Sequence, residues 1–92
     1  MEAKINKKEI IRQIGAKIAY NRTLRGLSQE TLAARINISK SVISKIERGN
    51  YNVGVTILLD IAQALDIEPA KLFTFDEAEK LMWTQPEENS ES

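Results

Sequence analysis

The chain has 92 residues, 42% of them apolar, which is enough for one domain with its own hydrophobic core. It contains no Cys and no His, and this excludes disulfide frameworks, Cys/His zinc sites and catalysis by a thiolate or an imidazole. The net charge of zero conceals an asymmetry: residues 1–48 carry +7, residues 49–72 carry −2 and residues 73–92 carry −5. A basic half followed by an acidic tail favours contact with a polyanion, and a solvated charged surface is the alternative.

The first half of the chain predicts two helices. Residues 1–8 are polar and basic and are expected to form a flexible N-terminal arm. A first helix is predicted over residues 8–24, because apolar residues recur there at helical spacing, and Gly26 is a suitable residue to end it. Ser28 is a typical N-cap, and it predicts a second, short helix over residues 29–35. The inner residues of these two helices are predicted to be Ile11, Ile14, Ile18, Ala19, Leu32, Ala33 and Ile36.

A turn and a third helix follow. Asn37 tolerates the left-handed conformation that a sharp turn needs, and it lies between two isoleucines that would hold the turn against the core. Ser39 is the predicted N-cap of a helix over residues 40–47, and Gly49 is expected to end it. The buried side of this helix is predicted to consist of Val42, Ile43 and Ile46.

The second half predicts further short helices. A fourth helix over residues 55–65 would place Val55, Leu58, Ala62 and Leu65 on one inner stripe. Pro69 favours the first turn of a fifth helix that ends near Phe73. Residues 76–92 are expected to form a short helical extension and an acidic, disordered tail. The predicted fold is therefore an all-α, compact five-helix bundle with its domain over residues 9–75.

The second and third predicted helices are separated by about three or four residues, which is the helix-turn-helix arrangement. In this arrangement the second helix of the pair enters the DNA major groove. Its exposed residues here are small or basic, and none is acidic: Lys40, Ser41, Ser44, Lys45 and Arg48. Lys can donate to guanine O6 and N7, and Ser can bind several base edges or a phosphate. This face therefore favours a nucleic-acid-binding helix over an ordinary solvated one.

The same segment resembles the Xre/phage-repressor (Cro-type) helix-turn-helix family. The resemblance is carried by IGAKIAYNRTLRGLSQETLAARINISKSVISKIERGN and continues through LLDIAQALDIEPAKLF, so that it covers roughly residues 10–73. It implies a λ-repressor-like DNA-binding fold and a transcriptional regulator that needs no cofactor.

The resemblance also implies a role for particular residues. The base-contacting set is Lys40, Ser41, Ser44 and Lys45, of which Ser44 is also placed to bind phosphate. The phosphate-contacting set is Gln29, Ser39, Arg48, Asn50 and Asn52, with the backbone of the loop over residues 50–52 contributing N–H groups. Arg22 and Glu47 are expected to form a partly buried salt bridge that holds the third helix in place. The chain departs from the family pattern in two places: Val53 and Gly54 replace a Pro and a capping Ser or Thr before the fourth helix, and Asn21 replaces an apolar residue in the first.

A single module of this size contacts only half of a DNA site, which favours a homodimer on a pseudopalindromic operator. The apolar residues at the end of the domain would form the dimer seam or cover the domain's own base: Leu72, Phe73, Phe75, Leu81, Met82 and Trp83. The expected function is a sequence-specific, double-stranded-DNA-binding repressor of bacterial, phage or mobile-element origin. The absence of a long apolar run predicts a cytoplasmic, nucleoid-associated protein with no membrane partner.

Two other function classes compete with this reading. The first is a protein-interaction module whose partner binds the acidic tail or residues 73–83, and the two roles can coexist. The second is an enzyme, but a chain without His, Cys or a cluster of carboxylates on one face has little from which to build an active site.

Overall fold

The computed structural model describes residues 4–75. Within this range the chain forms α-helices and one 3-10 helix and contains no strand. The α-helices are α1 (Lys7–Leu24), α2 (Gln29–Arg35), α3 (Lys40–Glu47) and α4 (Val55–Ala64), and the 3-10 helix is Pro69–Phe73. The all-helical prediction is confirmed. The five-helix detail is not, because the fifth element is too short and too tightly wound to count as an α-helix.

Helix α1 begins inside the segment predicted to be a flexible arm. Asn6 is its N-cap, and the side-chain oxygen of Asn6 accepts a hydrogen bond of 3.1 Å from the Glu9 N–H. The spacing Asn-x-x-Glu is a capping signature that the sequence prediction overlooked. The helix ends at Leu24, and Gly26 follows with a positive φ of 69°.

The turn between α2 and α3 has the predicted conformation. Asn37 has a φ of 63°, in the left-handed region that Asn tolerates better than most residues. The Ile38 N–H then bonds to Ala33 O at 3.0 Å, and this satisfies a carbonyl at the end of α2. Ile36 and Ile38 are half-buried and pack against the core, so that the turn is held from both sides.

All four α-helices and the 3-10 helix contribute to one hydrophobic core. Burying an aliphatic side chain of this size contributes about 1.5–3 kcal/mol. The buried apolar residues are Ile14, Ile18, Leu32, Ala33, Ile43, Ile46, Leu58, Ile61, Ala62, Leu65 and Leu72. One predicted inward position is wrong, because Val55 is 71% exposed. On α1, Ile10 packs against the core although it was not predicted to, whereas the predicted Ile11 and Ala19 are half-buried and are not among the residues that pack against it.

The 3-10 helix covers one end of the hydrophobic core. Leu72 is fully buried and Phe75 packs against the core, whereas Phe73 is 53% exposed. Of the terminal apolar residues, Leu72 and Phe75 thus cover the domain's own base. Leu81, Met82 and Trp83 lie outside the described residues, as does the extension predicted over residues 76–83.

The side chain of Lys17, on α1, hydrogen-bonds to the residue that follows the 3-10 helix. This side chain is only 4% exposed, although the sequence prediction did not place it inward. The Lys17 ammonium donates to Thr74 O at 2.8 Å and to Thr74 Oγ1 at 3.0 Å. Because a buried ammonium needs such acceptors, these bonds hold Thr74, the residue that follows the 3-10 helix, in a fixed position against α1.

Over residues 4–75, no helix has the length and apolar character required to cross a membrane.

Candidate nucleic-acid interface

Helix α3 presents one face to the core and the opposite face to solvent. Ile43 and Ile46 are buried, and Lys40, Ser41 and Lys45 are exposed. Neither lysine ammonium has a hydrogen bond or an ion pair with another residue of the range 4–75, so both point positive charge outward. On the face predicted to bind DNA, both lysines are therefore unpaired within residues 4–75.

Ser39 and Ser44 already have partners within the helix. Ser39 is the N-cap of α3, and its Oγ accepts from the Val42 N–H at 3.3 Å and lies 3.4 Å from Ser41 Oγ. The Arg48 guanidinium donates to Ser44 Oγ at 2.6 Å. A predicted base-contacting residue and a predicted phosphate-contacting residue therefore touch each other, and Arg48 lies along the outer side of α3.

A hydrogen-bonded cluster behind α3 joins three helices. Arg22 Nε donates to Glu47 Oε2 at 2.7 Å, and Arg22 NH2 donates to Glu47 Oε1 at 3.1 Å. The two side chains are 16% and 6% exposed, so the salt bridge between α1 and α3 is shielded from water. Arg22 NH1 also donates to Leu27 O at 2.7 Å, which ties the loop before α2 to the same guanidinium.

The third member of this cluster is Gln29, the first residue of α2. Its Nε2 donates to Glu47 Oε1 at 2.9 Å. The family resemblance predicts only that Gln29 contacts a DNA phosphate, and it did not connect Gln29 with Glu47. No spacing rule signals this contact, because residues 29 and 47 meet only after α2 and α3 have packed.

The loop after α3 places both predicted asparagines at the surface. Asn50 and Asn52 are exposed, and Tyr51 between them packs against the core. The Asn50 N–H bonds to Lys45 O at 2.8 Å as α3 ends, with Gly49 at a φ of 76°. Because this N–H is already taken, a phosphate contact at Asn50 has to come from its side-chain amide.

Two glycines allow the end of α3 to lie directly on α1. A methyl group at Gly15 would lie 2.8 Å from Glu47 O and closer still to Ile46 O. A methyl group at Gly49 would lie 2.8 Å from the Arg12 Cα. Sequence reasoning treated Gly49 only as a helix stop and overlooked Gly15, although a glycine inside a helical pattern is a known sign of close packing.

The charges near this contact are basic or paired. Arg12 forms an exposed salt bridge of 2.7 Å with Glu9, and the hydrogen bond from Arg12 to Glu9 raises the pKa of Arg12. Within residues 4–75, no group of three His, Cys, Asp or Glu side chains could hold a metal ion. The arrangement can bind an anion or a base edge.

Similarity to known proteins agrees with this geometry. A family model described as helix-turn-helix matches residues 18–72. An HTH-type transcriptional regulator of Sinorhizobium fredii, y4dJ, is 38% identical over 61 residues, which are 66% of this chain and 79% of that protein. The share of the relative that the match covers varies: it is 96% for the regulator MJ0272 of Methanocaldococcus jannaschii, at 30% identity, and 21% for y4dL of Sinorhizobium fredii, at 48% identity.

Solved structures show the same relationship. The restriction-modification controller protein C.AhdI from Aeromonas hydrophila superposes with a TM-score of 0.67 at 43% identity, covering 68% of this chain and 96% of that one. The clp gene regulator ClgR from Corynebacterium glutamicum superposes with a TM-score of 0.67 at 25% identity, covering 68% of this chain and 67% of that one. The chain therefore belongs to the helix-turn-helix family of DNA-binding transcriptional regulators of the Xre/phage-repressor type.

Proposed function

We propose that the protein is a sequence-specific repressor that binds a pseudopalindromic operator as a homodimer, with α3 as the recognition helix in the major groove. The observation that carries the proposal is the outer face of α3, where Lys40, Ser41 and Lys45 are exposed and neither lysine is paired within residues 4–75. Unpaired donors on a helix whose other face is buried are what base recognition requires.

The remaining contacts are assigned to the DNA backbone. Gln29, Ser39, Arg48, Asn50 and Asn52 surround the recognition helix in sequence and would bind phosphates. Ser44 would meet a base edge beside Lys45, and its bond with Arg48 would bring that guanidinium to the rim of the groove. Phosphate contacts hold the protein in register, whereas base contacts select the sequence.

Binding-site selection from random duplexes tests the assignment, because it reports sequence preference, palindromy and half-site spacing together. With the selected duplex, Lys40→Ala and Lys45→Ala are each expected to weaken binding by about tenfold and to relax preference at one base pair. Lys71→Ala is the matched control, because Lys71 is also exposed but belongs to the 3-10 helix. Affinity and salt dependence that are unchanged in both α3 variants would refute the proposal.

A homodimer is supported by exposed apolar residues away from α3. Val55 and Leu59 are 71% and 48% exposed and lie one turn apart on α4, and Phe73 is also exposed. Leu59→Lys is expected to lower the molar mass measured by sedimentation from dimer to monomer and to weaken operator binding. Leu24→Lys changes an equally apolar residue, 62% exposed at the end of α1, and is expected to leave the dimer intact.

Repression has its own test. We take the DNA upstream of the protein's own gene as the first candidate operator, because a regulator that lowers its own expression controls its own concentration. Supplying the protein in a cell that carries this DNA before a reporter gene is expected to lower reporter output, and higher output would identify an activator instead. Regulation of this kind acts in the cytoplasm, on the nucleoid.

The interaction-module alternative depends on residues 73–92, of which the structure describes the first three. Phe73 is the exposed residue that favours it. Removal of residues 76–92 is expected to leave operator binding unchanged. A stoichiometric protein partner that is lost with this segment, in a protein that shifts no DNA at low salt, would favour the alternative.

A further inference from the structure

The carboxylate of Glu47 is the point at which the three helices nearest the proposed interface meet. It accepts hydrogen bonds from Arg22 on α1 and from Gln29 on α2, while Glu47 itself is the last residue of α3. Its side chain is 6% exposed. Hydrogen bonds to a carboxylate inside a protein are shorter and stronger than neutral ones, so the carboxylate holds its donors in fixed positions.

This contact fixes the orientation of the Gln29 amide. A primary amide is planar and carries two N–H donors. The hydrogen bond of 2.9 Å from Nε2 to Glu47 Oε1 occupies one of them, and no residue in the range 4–75 accepts a hydrogen bond from the other. The first bond fixes the position of Nε2 and the direction of one N–H, and it thereby restricts the second N–H to directions that lead away from Glu47.

The charge of the cluster also suits a place beside DNA. A carboxylate alone would repel a phosphate, but Arg22 balances Glu47 at 2.7 Å. Gln29 therefore extends a neutral donor in front of a neutralised ion pair.

We propose that Glu47 is a positioning residue for phosphate binding: its buried carboxylate orients the Gln29 amide so that the second N–H of that amide faces a DNA phosphate. The proposal rests on the proposed DNA-binding function. It adds that the phosphate contact and the placement of the recognition helix are coupled, because both depend on one carboxylate. A salt bridge that only stabilised the fold would produce no such coupling.

A double-mutant cycle on DNA affinity tests the coupling. Gln29→Ala is expected to weaken binding by about tenfold in the parent protein and by less than about twofold in the Glu47→Ala background. The salt dependence of binding is expected to stay the same in Gln29→Ala, because the amide is uncharged. An equal loss in both backgrounds, or no loss in either, would overturn the proposal.

The side-chain amide signals of Gln29 in the unmodified protein provide a second test, which is independent of whether Glu47→Ala folds. In the free protein, one Gln29 amide proton is expected to exchange with solvent much more slowly than those of the exposed Gln63. On addition of a random-sequence duplex, the other Gln29 proton is expected to shift. Gln29 protons that exchange as fast as those of Gln63 would refute the proposal.

The two tests separate this inference from the proposed function. If the Lys40→Ala and Lys45→Ala variants lose operator binding while Gln29 and Glu47 act additively, the recognition helix is correctly assigned and only the positioning role is wrong. If no duplex binds at low salt, the proposed function itself fails.

Discussion

The substitution Gly15→Ala directly tests the close contact between α1 and the backbone at the end of α3. The new methyl group would lie 2.8 Å from Glu47 O and 3.0 Å from Glu47 C, and closer still to Ile46 O. All three are backbone atoms of α3, so no side chain can rotate away to relieve the overlap. The two helices must separate, which lowers the quality of packing along their whole contact.

The magnitude follows from two opposing effects. Overpacking in a well-packed interior costs about 1–3 kcal/mol, and replacing Gly by Ala inside a helix contributes about 1 kcal/mol in the opposite direction. The overlap is with backbone atoms and therefore lies at the upper end of that range, so the net expectation is a loss of about 2 kcal/mol in the free energy of unfolding. For a domain of this size, such a loss lowers Tm by roughly 8–16 °C.

Thermal and urea unfolding followed by circular dichroism measures this loss. Ala34→Gly is the matched control: Ala34 is exposed inside α2, and its replacement is expected to cost only the helix propensity, about 0.5–1 kcal/mol. Gly15→Ala is also expected to weaken operator binding, because Glu47 moves with α3. A Gly15→Ala protein as stable as the parent, or more stable, would show that the two backbones are not in close contact.

Four further substitutions test a helix cap, two ion pairs and a residue with positive φ, each by urea unfolding. Gly54→Ser is expected to raise stability by about 0.5–1 kcal/mol, because Gly54 caps α4 without a side-chain bond and has open space around it; a loss would contradict the cap geometry. Arg22→Leu leaves the buried Glu47 carboxylate without its cation, and it is expected to lower the free energy of unfolding by about 3 kcal/mol. Arg12→Leu is the comparison, because it breaks a salt bridge whose side chains are 60% and 42% exposed. It is expected to lower the free energy of unfolding by less than about 1 kcal/mol. Asp66→Gly is expected to add about 0.5–1 kcal/mol, because Asp66 has a φ of 57°, and no gain would mean that its side chain compensates for the strain.

Local signals in the sequence account for most of the helix boundaries. Ser28 and Ser39 cap their helices through the side-chain bonds that their positions predict, and Asn37 adopts the left-handed turn. These features depend on neighbours within four residues, which a single sequence displays directly. The start of α1 was also available in this way, from Asn6 and Glu9, and was overlooked.

Contacts between helices are harder to predict from the sequence. Gln29 and Glu47 are 18 residues apart, and their hydrogen bond follows from the angle at which α2 and α3 pack. Lys17 is buried because Thr74, 57 residues later, supplies its acceptors. Val55 has the spacing of an inner residue but lies in the first turn of α4, at the edge of the core, so the apolar stripe alone misassigns it.

Helix α3 keeps its attachments and its outward residues on separate sides. Ile43 and Ile46 hold it to the core, and Glu47 holds it to α1 and α2, whereas the Lys40 and Lys45 side chains are exposed and form no hydrogen bond or ion pair with another of the residues 4–75. Substitutions at such exposed positions usually change stability by no more than about 0.5 kcal/mol. On the proposed assignment of these lysines to base edges, mutation could therefore alter the sequence preference of the protein in small steps without unfolding it, and a duplicated gene could acquire a new operator while the scaffold stays the same.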